Sequence, residues 1–123
     1  MGQVKSKLIY IIPVIIFSLI LIPVGSSLAA SIAITFPPDN VLGPQFFING
    51  TATDTGNGID QISVSIDNGP FNVATGTTNW SFYTSPLSCA DHTITAKATD
   101  SLGNNQTTTI TVRVWNSPVG ICS

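Results

Sequence analysis

His92 is the lone histidine of the 123-residue chain, and Ser88 and Asp91 stand close to it in sequence. Those are the residue types of a nucleophile, a base and an acid that orients the base. Nearness along a chain is not reach, however, because a strand or tight loop sends successive side chains in opposite directions. No glycine-rich elbow or anion hole accompanies the three. The sequence therefore assigns no catalytic residue, and it expects His92 to be a surface side chain at the start of a strand. Asp54 and Asp100 each sit in turn-forming sequence and offer the hard oxygens that calcium takes. Their spacing is not that of an EF-hand, and an aspartate in a turn ordinarily accepts hydrogen bonds from its own turn's amides. One histidine and two cysteines cannot close a zinc shell. No metal and no cofactor is expected.

The elements that must position these residues begin after an apolar run, Leu8 to Val24, preceded by Lys5 and Lys7 and followed by Gly25-Ser26-Ser27-Leu28-Ala29-Ala30. A positive start, an apolar middle and a small-residue end are the features of a secretory signal peptide, with cleavage expected after Ala29. The alternative is an uncleaved anchor, since the run approaches the length that spans a bilayer. Either way the lysines face inward and residues 30–123 lie outside the cytoplasm. Loss of residues 1–29 leaves Lys97 and Arg113 against Asp39, Asp54, Asp60, Asp67, Asp91 and Asp100, a net charge of −4. So acidic a surface with two cations cannot neutralise a phosphate backbone, which argues against nucleic-acid binding.

Outside the cytoplasm thiols oxidise, so Cys89 and Cys122 are expected to pair in one disulfide. Two free thiols, or an intermolecular bond through Cys122, are the other outcomes. Three sequons, Asn49-Gly50-Thr51, Asn79-Trp80-Ser81 and Asn105-Gln106-Thr107, are candidate N-glycosylation sites. Asn105 is expected in an accessible loop, whereas Asn49 and Asn79 need outward strand positions. Tyr83 and Trp115 fall on outer faces and can stack a glycan if the sheet order brings aromatics together.

Short alternating runs separated by Gly, Pro, Asn and Asp clusters predict seven strands and no helix. The first is Ser31 to Phe36, with Ile32, Ile34 and Phe36 inward, stopped by Pro37-Pro38-Asp39-Asn40. The second runs from Gln45 to Thr53, with Phe46, Ile48 and Ala52 inward, and the third from Ile59 to Ile66, closed by Asp67-Asn68-Gly69-Pro70. Phe71 to Ala74, Trp80 to Thr84, His92 to Thr99 and Thr107 to Trp115 complete the set. Trp80 is expected in the core. The last two strands should form a hairpin around Gly103 and Asn104, which would bring Cys89 and Cys122 to one end of the domain.

The chain resembles the bacterial and archaeal Ig-like domain family, the modules of surface adhesins and exported multidomain proteins. The resemblance rests on Ile32-x-Ile34 with Pro37-Pro38-Asp39, on Gly50-Thr51-Ala52-Thr53-Asp54, and on Val64 to Pro70. It continues through Asn79-Trp80-Ser81 and His92 to Asn104. It implies a seven-stranded Greek-key immunoglobulin-like sandwich that spaces, stiffens or binds at a cell surface, without catalysis. Antibody-type domains join their second and sixth strands by a disulfide and stack a tryptophan from the third on it; the cysteines and tryptophans here lie elsewhere. The expected function is an exported, non-catalytic module whose partner is a protein or glycan at the cell surface, with membrane contact only through an uncleaved N-terminal segment. Alternatives are a subunit of a surface filament or other assembly, and a secreted carbohydrate-binding or enzyme-accessory module.

Overall fold

The computed structural model describes residues 30–117 and Cys122. The leader or anchor expected over residues 1–29 lies outside the described residues. Val, Ile and Thr crowd the backbone at χ1 and pack well on a pleated surface, and the described chain folds accordingly into strands, with no helix. In order these are β1 (Ala30–Phe36), β2 (Asn40–Leu42), β3 (Phe47–Asp54), β4 (Ile59–Ile66) and β5 (Asn72–Val73). They are followed by β6 (Thr75–Gly76), β7 (Asn79–Tyr83), β8 (Asp91–Asp100) and β9 (Asn105–Trp115). Two sheets face each other, one in the order β1-β3-β7-β6 and the other β2-β9-β8-β4-β5. The fold is the expected all-β, immunoglobulin-like sandwich.

Nine strands stand where seven were expected, for two reasons. Asn40, read as the end of a proline turn, instead begins a strand with Val41 and Leu42 that pairs parallel with Arg113–Trp115 of β9. A three-residue strand is too short to show periodicity, and its partner lies far along the chain. The expected fourth strand, Phe71 to Ala74, is shortened to β5, which joins β4, and just beyond it the unexpected β6 joins β7 in the other sheet, the chain crossing between sheets at Ala74.

The core comprises Ile48 and Ala52 of β3, Ile62 and Val64 of β4, Trp80, the β8 series Ile94, Ala96 and Ala98, and Val112 and Val114 of β9. Val41 and Phe46 close it from β2 and the segment before β3. Trp80 is 3% exposed, as expected. Phe36 departs from expectation. The β1–β3 register slips between Ile34 and Phe36, so that Phe36 lies opposite Asn49, on the outer side. A one-residue bulge reverses the direction of every side chain beyond it. It takes Phe36 out of the core.

Ser63 and Ser65, which alternate with the core residues Ile62 and Val64, are buried on the outer side of β4. Ser63 lies in register between Lys97 of β8 and Val73 of β5. The Lys97 ammonium reaches the Phe71 ring, 4.2 Å from its centroid, so its aliphatic stem crosses β4 and covers Ser63.

Candidate functional site

His92 is 7% exposed, contrary to the surface position expected for it. It shares strand parity with Ile94, Ala96 and Ala98, so it points inward with them. β4 lies beside β8, and the turn after β4 delivers the acid. Asp67 and Asn68 take the left-handed conformation, with φ of 54° and 60°, and the Gly69 N–H closes the turn on the Ile66 carbonyl at 3.0 Å. Asp67 is thereby folded back onto β8. Its carboxylate accepts the Thr93 N–H at 3.0 Å and the His92 Nδ1–H at 2.6 Å. The orienting acid is thus Asp67, a residue the sequence reading did not connect with His92. Asp91, the neighbour in sequence, pairs instead with Arg113 at 3.1 Å.

The other ring nitrogen, Nε2, donates to the Ser88 carbonyl at 2.8 Å, with Ser88 Oγ at 3.4 Å. When the ring is protonated both nitrogens donate, one to each of these acceptors, so the geometry favours the imidazolium. Burial pushes its pKa down, but the bonds to the Asp67 carboxylate and the Ser88 carbonyl outweigh that and hold it above the ordinary value. Desolvation likewise pushes Asp67 up, and the bonds from His92 and the Thr93 amide bring it below the usual carboxylate range. An imidazolium whose two protons are both given away has no lone pair with which to accept the Ser88 proton. The group clamps the β4 turn to the start of β8, next to Cys89.

Cys89 and Cys122 form the expected disulfide, with Cα atoms 5.4 Å apart. It follows from the β8–β9 hairpin, whose register runs from Asp91 opposite Arg113 to Thr99 opposite Asn105 and so places both cysteines at its open end.

At the other end of the sandwich, Asp54 Oδ1 accepts the Gly56 and Asn57 amides, at 2.8 and 3.3 Å. Asp100 accepts the amides of Leu102 and Asn104 at 2.9 and 2.8 Å and the Asn104 side-chain amide at 2.9 Å. The Asn104 side chain foremost holds the Asp100 carboxyl below the ordinary range, against desolvation. Asn57 joins the two turns, its side-chain amide reaching Asp100 at 3.4 Å while its carbonyl accepts the Ser101 hydroxyl at 2.7 Å. Both aspartates are turn acceptors. Among the described residues no three His, Cys, Asp or Glu side chains gather as a metal-holding group.

Of the sequons, Asn105 lies in β9, not in a loop. The loop is shorter than expected because the hairpin ladder runs on to Thr99, whose hydroxyl donates to Asn105 Oδ1 at 2.8 Å. Asn49 and Asn79 occupy the outer side of β3 and β7. Asn49 lies opposite Ser81 and Thr51 opposite Asn79, so each asparagine faces the hydroxyl residue of the other sequon.

Tyr83 and Trp115, the two outward aromatics expected from sequence, lie in different sheets. Trp115 carries the Arg113 guanidinium over its ring at 4.7 Å. Tyr83 finds another partner. It is opposite Phe47, with ring centroids 4.7 Å apart. Phe36, displaced by the bulge, stands beside Asn49 on the next rung of the same face. Phe36, Phe47 and Tyr83 are 47%, 52% and 53% exposed. A broad open groove beside them is lined by Thr35, Asn49, Thr51, Thr75, Asn79 and Ser81. No Asp, Lys or Arg occupies an outward position of this sheet. Lys97 and Arg113 both project from the other one.

No protein-family profile and no curated protein matches the chain. Solved structures do. The chain is similar to the fibronectin(III)-like modules of CbhA from Clostridium thermocellum, with a TM-score of 0.58 and 19% identity over 71% of this chain and 97% of that one. It is also similar to the SrpA adhesin of Streptococcus sanguinis, at TM-score 0.57 and 15% identity over 78% of this chain and 62% of the other, less than two thirds of that structure's length. The PKD1 domain of the Vibrio cholerae metalloprotease PrtV matches at TM-score 0.50 and 17% identity, over 72% of this chain and 95% of that domain. Identities this low establish the shared sandwich fold.

Proposed function

We propose that this chain is an exported, non-catalytic Ig-like module that binds a partner through the outer face of its four-stranded sheet, at the cell surface or in the extracellular space. The observation that carries the reading is the cluster of Phe36, Phe47 and Tyr83, half exposed on one uncharged sheet face. Three aromatics kept in contact with water on one face of a small domain mark an interaction site. The Cys89–Cys122 bridge supports the location, because it persists only where thiols are oxidised. Engagement of both His92 nitrogens supports a role in binding without catalysis.

Fractionation of the source cells, followed by incubation of the purified protein with isolated envelope, tests this. The protein should appear in the medium or on the surface, accessible to protease on intact cells, and should bind envelope in a manner lost on Tyr83→Ala. Recovery in the cytoplasm with reduced cysteines, or envelope binding indifferent to Tyr83→Ala, would overturn the reading.

A further inference from the structure

The outer face of the β1-β3-β7-β6 sheet has a composition that its place in the fold does not require. Its rungs read Phe47 opposite Tyr83, then Phe36, Asn49 and Ser81, then Thr51 opposite Asn79. Successive rungs on one face are about 6.8 Å apart, the scale of a single pyranose ring. Aromatic rings occupy one end. The remainder is amides and hydroxyls, each able to donate and to accept a hydrogen bond.

From this arrangement we infer that the face is a binding groove for a neutral polysaccharide chain, which rests on the reading that this face is where the module binds. A sugar ring presents an apolar C–H side and a rim of hydroxyls that both donate and accept. The aromatics match the first and the Asn, Ser and Thr side chains the second. The absence of charge selects further. A uronic acid, a sulfated glycan or a lipid phosphate would be drawn to cations, and the described cations, Lys97 and Arg113, lie on the opposite sheet. A protein partner is less well matched, since a protein interface on an aromatic cluster covers it with apolar side chains, and here the aromatics give way within one rung to amides and hydroxyls.

Two features hold the face in place. The bulge at Thr35 brings Phe36 outward, and the Thr35 hydroxyl donates to the Asn49 carbonyl at 3.2 Å, tying β1 to the middle of the groove. The Trp80 indole lies on the inner side of the same strands, against Gly50, and stiffens the groove from behind.

Native electrophoresis of the exported protein through gels containing galactomannan, xyloglucan or dextran, with polygalacturonate as a charged control, tests the inference. At least one neutral polymer should retard the protein and the charged one should not. Tyr83→Ala and Phe36→Ala should each weaken the retardation by about tenfold or more while the melting temperature is preserved. Lys97→Ala, on the other sheet, should leave it unchanged. Retardation only by polygalacturonate, or by none of the polymers, would overturn the inference, as would retardation that survives both aromatic substitutions. Envelope binding that is lost on Tyr83→Ala but survives periodate oxidation and is abolished by protease would overturn the polysaccharide and leave the binding face standing. Glycans found on Asn49 or Asn79 of the native protein would cover the groove and also overturn it.

Discussion

Gly50→Ala reverses sign between a local and a tertiary account. Gly50 lies mid-strand in β3 without a positive φ, so nothing in its own backbone asks for glycine. By local conformational entropy alone, alanine there should stabilise the fold by roughly 0.5–1 kcal/mol. The surroundings say otherwise: a Cβ at Gly50 would lie inside contact distance of the Ala33 carbonyl oxygen and of the Trp80 ring. The first obstacle is backbone in β1, and the second is a fully packed indole, so neither yields cheaply. Overpacking of this kind costs about 1–3 kcal/mol, occasionally more, and with two obstacles the upper end applies. Net of the local gain, the loss should be about 2 kcal/mol. For a domain of this size that lowers the melting temperature by roughly 8–16 °C. Denaturant unfolding followed by tryptophan fluorescence measures it, and Trp80→Phe in the same background should recover part of the loss through a coupling of about 0.5–3 kcal/mol. A neutral or stabilised Gly50→Ala, or strict additivity with Trp80→Phe, would refute the packing account.

Reduction of the disulfide, or the double replacement of Cys89 and Cys122 by alanine, should cost about 3.5–4 kcal/mol, because the bridge closes a loop across a separation of 33 residues. Equal stability with and without reductant would contradict it. Folded His92 titrates above 6.5, so its contribution to stability is complete below that pH and disappears as pH rises through the raised folded value. Asp67 titrates below 3.8, so its share is complete above that pH and is lost as pH falls through the lowered folded value. Stability from the pair should therefore be greatest between about 4 and 6.5, and His92→Gln should flatten the alkaline decline in a series of denaturation curves; an unchanged decline would remove His92 from the account. Trp80→Ala should cost about 3–5 kcal/mol by leaving a cavity between the sheets, and a near-neutral result in thermal unfolding would displace Trp80 from the core.

What was legible in the sequence is what a period of two and short-range turn chemistry can encode. Ile62 and Val64, or Ile94, Ala96 and Ala98, declare a common inner face wherever their strands lie, and Gly103-Asn104 between two alternating runs declares a hairpin. From that hairpin the meeting of Cys89 with Cys122 follows, because its geometry is local. The inward aim of His92 was equally legible, since it shares parity with Ile94. Alternation says which side chains share a face, but not which strands are neighbours. The Asp67–His92 clamp needed β4 beside β8, and the Phe47–Tyr83 pair needed β3 beside β7. The parallel strand Asn40–Leu42 needed β9 to be already in place. The position of Phe36 turned on a single bulged residue, a shift that changes no local propensity yet exchanges the inner and outer faces beyond it. These adjacencies join residues distant in sequence and are selected by the packing of the whole core, so only the tertiary structure decided that three aromatics and two paired sequons share one uncharged face.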